Sequence, residues 1–466
     1  MKKILLAAGI SLFTISGFAQ LPKDPVTYPV AEGYQIESLW GQYSKLGNKP
    51  TVLAGNNSRG MAVLNGKIYV TLRKAVKVNE KSVNNGILLI YDAKTGAFEK
   101  ELPLTGDGIS EVEIMTTNDV QVDDAGHLLV SSLSTNLSSE NDPFTVWMVN
   151  PETGVAKTIL KYTNPLDVKY RIDCFGVYGD ITKDGYLMAA ISKDQSVGGD
   201  QVLQWQFKNG VFSDSEAKYI KIQEYANGKP LEGGNSDAPR VTPIDENLFY
   251  LDPQSGWATM YMMVKVEDGY HAVIADGFNK ESLKDFQPED DGGNNGVDEF
   301  TFNNDHFVIY VISNTANKSG YPQAWNLCKL GEGMAFEGMK KIARIPEAGM
   351  GDEPNVVRTA LPRIEVENDV AYIYLFATNG GLAAYKMTVA ATDALNQISG
   401  TGNIRIQDNQ IVCDEVASIE IYTVAGQRVD AKANVTTMAL PLAQGMYIIK
   451  ACFENKQQVV LKAIVE

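Results

Sequence analysis

The sequence predicts an all-β protein: a six-bladed β-propeller closed by an N-terminal strand, followed by a small C-terminal β-sandwich domain. Three observations lead there. One strand grammar recurs six times at a nearly constant spacing. Glycine turns punctuate the copies. The last copy lacks a strand that an unpartnered N-terminal segment can supply.

The grammar is plainest in Asn118–Leu160. A short strand, Asp119–Val122, meets a turn at Gly126 and then an apolar strand, His127–Ser132. After a polar loop comes a strand with Trp147, a turn over Asn150–Gly154 and a last strand ending at Leu160. This is an up-and-down sheet of four strands, and both of its faces need covering. Sheets set around a ring cover one another and leave no open edge.

Aligned on the second strand, the copies begin at Ile68, Leu128, Leu187, Leu248, Phe307 and Ala371, at gaps of 60, 59, 61, 59 and 64 residues. Self-similarity at a fixed period marks a repeat architecture. Gly, Asn or Asp stands just before each of these strands, as a tight antiparallel turn requires. Further turns recur at Gly96, Gly154, Gly210, Gly269 and Gly333. The strands before them carry Tyr91, Trp147, Trp205, Phe207, Met263 and Trp325, bulky residues that read as filling between neighbouring sheets. The sixth copy stops after Leu382–Met387. Tyr34–Trp40 alternates apolar and polar residues and has no partner nearby. Pairing the two would close the ring.

At the N-terminus Lys2 and Lys3 precede an apolar run, Ile4–Phe18, with Gly17 and Ala19 placed as small residues before a cleavage site. Residues 1–19 therefore read as a signal peptide, since the run is shorter than the roughly 18 residues a membrane span needs. The expected division is a signal at 1–19, a propeller at 20–390, a linker at 391–402 and a C-terminal domain at 403–466. The chain is expected to be exported: secreted, on the cell surface or periplasmic.

Formal net charge is −16, and −18 without Lys2 and Lys3. Such a surface repels phosphate backbones and anionic lipid, so neither nucleic acid nor membrane insertion is expected. Cys174 and Cys328 read as buried hydrophobes. Cys413 and Cys452 share the C-terminal segment and could form a bridge, and no CxxC points to zinc or redox chemistry.

The C-terminal segment carries Ile419-Glu420-Ile421-Tyr422-Thr423-Val424-Ala425-Gly426-Gln427, then Leu440-Pro441-Leu442-Ala443-Gln444-Gly445-Met446-Tyr447-Ile448-Ile449-Lys450, then a terminal strand. It resembles the type A sorting tail of exported Bacteroidetes proteins that use the type IX (Por) secretion route. The resemblance covers about the last 70 residues, counted from the strand pattern, and implies export and no activity. The repeat part is similar to uncharacterised six-bladed repeat proteins of the same phylum, a likeness of architecture that brings no site residues with it.

A propeller offers its ligand site at one mouth of the central channel. The charged residues expected just ahead of the innermost strands are Arg59, Asp119, Asp180, Arg240, Glu299 and Arg363. They could grip a carboxylate or sugar hydroxyls through the arginines, or bridge one another in a water-filled channel. The acidic run Glu289–Glu299 makes calcium conceivable through Asp291, Asn295 and Asp298, although Gly293 and Phe302 depart from an EF-hand loop. His127, His271 and His306 are the only histidines, too few for a His-rich metal site. No GxSxG, P-loop or Rossmann fingerprint occurs.

Two functions follow. One is a non-catalytic, monomeric exported propeller that binds a protein or a glycan through its loop face. The other is a hydrolase or lyase on polysaccharide or a small acidic sugar, using Asp119, Asp180 or Glu299 with an arginine clamp.

Overall fold

A computed structural model describes residues 21–78, 81–109, 117–165, 168–192, 201–212, 217–222, 239–252, 258–287, 296–313, 323–351, 353–357, 359–390, 404–407, 410–423, 426–440, 445–454 and 458–465. The signal-like run and the calcium candidates Asp291 and Asn295 lie outside them. The chain separates into two compact units, Met1–Thr388 and Val389–Glu466. Among the described residues no helix is long and apolar enough to cross a membrane.

The first unit is built of antiparallel four-stranded meanders. Met61–Leu64, Lys67–Val78, Lys81–Asp92 and Phe98–Pro103 make one; Asp119–Val122, Leu128–Ser131, Phe144–Val149 and Ala156–Tyr162 make the next. Every second strand expected from the repeat is present at its expected position. The glycine turns form as read. Gly154, for example, sits at φ 75°, and a Cβ there would meet the Pro103 carbonyl oxygen at 2.2 Å.

Two local expectations change. Arg73–Asn85, read as a polar loop, is a hairpin whose ladder continues to Val78↔Lys81. Val76 pairs with Val83 there, so a period-2 pattern of β-branched residues won over polarity. The next two meanders, starting at Gly176–Gly179 and Arg240–Pro243, are not separate sheets. Lys218–Ile222 pairs in parallel with Gly269–Ile274, so the two outer edges satisfy each other's backbone groups.

The final sheet is ordered Tyr34–Tyr43, Gly381–Val389, Val370–Ala377, Ala360–Glu367, so the N-terminal strand supplies the missing position. Trp40 anchors it, 1 % exposed, its indole N–H donating to the Ala93 carbonyl at 2.9 Å. Tyr28 and Tyr385 both donate to the Asp24 carboxylate, at 2.5 and 3.0 Å, fastening the leader to the same sheet.

Core packing runs between consecutive meanders. Phe144 and Tyr162 pack on Trp205 at ring-centroid distances of 5.7 and 5.2 Å, joining the second meander to the third. Tyr91, Met61 and Ile68 share a core with Leu361, Tyr374 and Leu382, joining the first meander to the last. Tyr91, Trp147, Trp205, Phe207, Met263 and Trp325 are all buried, as their spacing implied. The innermost strands follow the same circuit. Met61–Leu64 touches Asp119–Val122 and Ala360–Glu367, Gly176–Gly179 touches Arg240–Pro243, and Thr242 Oγ1 donates to the Val297 carbonyl at 3.1 Å. The arrangement is propeller-like.

In the second unit, Ile404–Gln407, Gln410–Thr423, Gly445–Phe453 and Gln458–Val465 hydrogen-bond as one sheet, with Arg428–Ala439 on the other side of Gln410–Thr423. All five described strands of the expected C-terminal β-sandwich domain belong to one hydrogen-bonded network. Gln410–Thr423 is one long strand with register shifts near Ala417, so it carries partners along both halves. Ile411, Ile419, Ile421, Tyr447 and Ile449 fill this unit's core. All four cysteines are free thiols, so Cys413 and Cys452 are not bridged.

Candidate functional site

Backbone geometry at the starts of the innermost strands draws charge towards the middle of the first unit. Arg240, the first residue of its strand, donates from Nη1 to Asp119 Oδ2 at 3.0 Å and from Nη2 to the Arg59 carbonyl at 2.8 Å. The pair is buried, with side-chain exposures of 7 % and 0 %. The same Asp119 oxygen accepts from Gln121 Nε2 at 3.2 Å and the Phe175 N–H at 3.3 Å. Gly60 makes this approach possible: a Cβ there would stand 2.7 Å from the Val120 nitrogen and 2.9 Å from Asp119 Oδ1. Arg240 thus ties three of the meanders into a bar at the level of the strand starts.

Upstream of this bar lies a cationic group. Arg59 is half-buried, and its Nε is buried without a hydrogen-bond partner. Burial, and then the neighbouring Arg73, pull its guanidinium down to about 10. Arg73 donates to the Asn56 carbonyl at 3.1 Å and also keeps a buried, unpartnered Nε. Arg171 grips Asp173 with two bonds, Nε–Oδ2 at 2.8 Å and Nη2–Oδ1 at 2.6 Å, and Ser192 Oγ donates to Asp173 at 2.8 Å. Beside these, Ser58 Oγ, Asn118 Oδ1 and Ser131 Oγ are buried without partners.

Downstream of the bar is a polar cavity of about 380 Å³, lined by residues from all the innermost strands. Gln121, Thr242, Asp298, Glu299 and Arg363 give it hydrogen-bonding groups; Val122, Val177, Ile244 and Tyr178 give it apolar walls. Arg363 donates to Met61 and Pro362 carbonyls at 3.0 and 2.8 Å and to Gln121 Oε1 at 3.0 Å. It stands 3.7 Å from Asp298 Oδ2. Burial pushes the Asp298 carboxyl up to about 6 against the pull of that arginine. Burial also raises Glu299, whose Oε1 lies 3.3 Å from His306 Nδ1.

The residues read from sequence therefore separate. Arg59, Asp119 and Arg240 meet at the bar and the group above it; Glu299 and Arg363, which lie inside Val297–Phe302 and Ala360–Glu367 and not ahead of them as expected, line the cavity below with Asp298. Asp180 joins neither. It follows the strand Gly176–Gly179 instead of preceding it, in the turn to the next strand. There Asp180 Oδ1 accepts from the Thr182 N–H and hydroxyl at 2.9 and 2.6 Å, and Lys183 stands 2.9 Å from Oδ2. Asp123, His127 and Asp180 bring potential ligand atoms within 4.8 Å of one another. However, the Asp123 oxygens already accept from the N–H groups of Ala125, His127 and Ile181. Arg73 and Arg171 were missed. The alternation Arg171-x-Asp173 before a first strand was the available signal for the second of these.

No family model matches the chain, and no curated protein matches it by sequence. Its fold is similar to that of a DUF4623 family protein from Bacteroides eggerthii, at TM-score 0.55 and 13 % identity over 78 % of this chain and 77 % of that one. An α-L-arabinanase from Penicillium chrysogenum, solved with arabinobiose, aligns at TM-score 0.42 and 9 % identity over 76 % and 98 %. A polysaccharide lyase, an ulvan lyase bound to a glucuronate–rhamnose sulfate unit, aligns at 0.38 and 8 % over 92 % and 95 %. Only the first is close enough to speak for the fold, and its name assigns no activity.

Proposed function

We propose that the first unit is a six-bladed propeller of an exported protein, and that it binds a carboxylate-bearing sugar at the mouth formed by Arg59, Arg73 and Arg171. One observation carries the reading: the Arg59 guanidinium is drawn out of water beside other cations with its Nε unpartnered. The nearby Asp173 carboxylate is already gripped by Arg171 and does not offset the cost of burying Arg59, so a bidentate carboxylate is the group this arginine lacks. The unpartnered Ser58, Asn118 and Ser131 oxygens beside it suit the hydroxyls of a sugar. The sorting-tail resemblance of the second unit supports export. A thermal-shift screen of uronic-acid oligosaccharides against neutral ones tests this: the acidic set should raise the melting temperature at concentrations where the neutral set does not. Equal shifts, or none with any uronate, contradict it.

Pairing and position weigh against catalysis by two of the three carboxylates first considered, since Asp119 is held by Arg240 and Asp180 stands elsewhere. One observation favours a second reading, a hydrolase or lyase on a polysaccharide whose neutral ring enters the cavity. Asp298, held up to about 6, has the proton affinity a general acid or base needs near neutral pH, and Glu299 and Arg363 line the same cavity. Release of new chain ends from a panel of neutral polysaccharides, lost in Asp298→Asn, tests it; a wild-type protein inert on all of them removes it.

A further inference from the structure

We infer that the cavity below the Arg240–Asp119 bar is a second binding site, separate from the mouth, and that it takes a neutral polyhydroxylated ring the size of one monosaccharide. Two facts separate the compartments. Arg240, Asp119 and Arg59 do not line the cavity, whereas Gln121, Val241 and Thr242, further along the strands that Asp119 and Arg240 begin, do. The bar is also fixed from both ends, by the Asp119 carboxylate and the Arg59 carbonyl.

The lining sets the ligand chemistry. At about 380 Å³ the space lies in the range of small-ligand pockets and is too small for a folded segment. Arg363 donates to two carbonyls and Gln121, and its charge faces Asp298 at 3.7 Å, so it adds little to attract an anion. Asp298 has spare capacity among the described residues: Oδ1 accepts the neighbouring Glu299 N–H at 3.1 Å, and Arg363 stays 3.7 Å from Oδ2. A carboxylate accepting from adjacent hydroxyls suits a sugar edge, and Asp124 and Glu299 make the lining inhospitable to an acid. Tyr178, half-buried and stacked on Tyr186 at a centroid distance of 6.5 Å, offers an aromatic wall for the apolar face of a ring. This inference goes beyond the mouth reading and stands or falls separately.

The test is ligand-observed NMR on the full chain with glucose, galactose, mannose, xylose and arabinose. At least one should bind with an affinity of about millimolar. Asp298→Asn and, independently, Tyr178→Ala should each weaken that binding about tenfold while near-UV circular dichroism stays native. An oligogalacturonate should leave it undisplaced. No binding by any of the five sugars, binding indifferent to both variants, or displacement by the oligogalacturonate overturns the inference.

Discussion

Arg240 reaches Asp119 at 3.0 Å although the two belong to different meanders and are 121 residues apart in sequence. Both ions have left water, so what each gains depends on the other. Arg240→Ala should cost about 3–5 kcal/mol by urea unfolding, because the buried Asp119 charge loses its partner. Asp119→Asn, which keeps an oxygen to accept from Arg240, should cost less.

Gly60 is the second support of that bar. Gly60→Ala puts a Cβ against the backbone of Val120 and Asp119, where no flexible side-chain end can give way. A loss of about 1–3 kcal/mol is expected in the same unfolding assay, as for other overpacked sites.

The N-terminal strand should matter as much as any internal one. Trp40 is fully enclosed between the last sheet and the first, so Trp40→Ala should cost about 3–5 kcal/mol. A Trp40→Ala protein of wild-type stability would mean the strand is not part of the closed core.

Asp252 gives a pH signature. Burial raises its carboxyl well above the usual range, opposed by the Gly296 N–H and the charge of Arg240. Its proton is held in the folded state and lost on unfolding above the ordinary carboxylate range. That contribution is therefore full at pH below about 4 and declines as pH rises. Asp252→Asn should flatten the fall in unfolding free energy between pH 4.5 and 7.5; an unchanged slope would place the source elsewhere.

Much of the architecture was legible because it follows from spacing. Ile68, Leu128, Leu187, Leu248, Phe307 and Ala371 all open or enter real second strands, and the fate of Tyr34–Trp40 followed from one missing edge. The site was half legible. Arg59, Asp119 and Arg240 lie where a first strand starts, and repeat alignment finds that place within a residue or two. Asp180 was misplaced because Gly176–Gly179 is only four residues long and apolar at its start, so the charged residue nearest the alignment fell past its far end. Arg73 escaped because its segment resembled a polar loop while pairing as a ladder. The proposed division into a mouth and a cavity depends on where one long side chain, Arg240, reaches, and no periodicity encodes that.

The measurement closest to the central claim is a calorimetric titration of trigalacturonate into the wild-type protein and into Arg59→Ala. The wild type should bind, and removal of the guanidinium should weaken binding roughly 10- to 100-fold, the worth of one charge-assisted hydrogen bond. The carboxyl-reduced neutral trisaccharide should bind poorly to both. If the neutral trisaccharide binds as well as the acid, or Arg59→Ala binds like wild type, the mouth is not an acidic-sugar site.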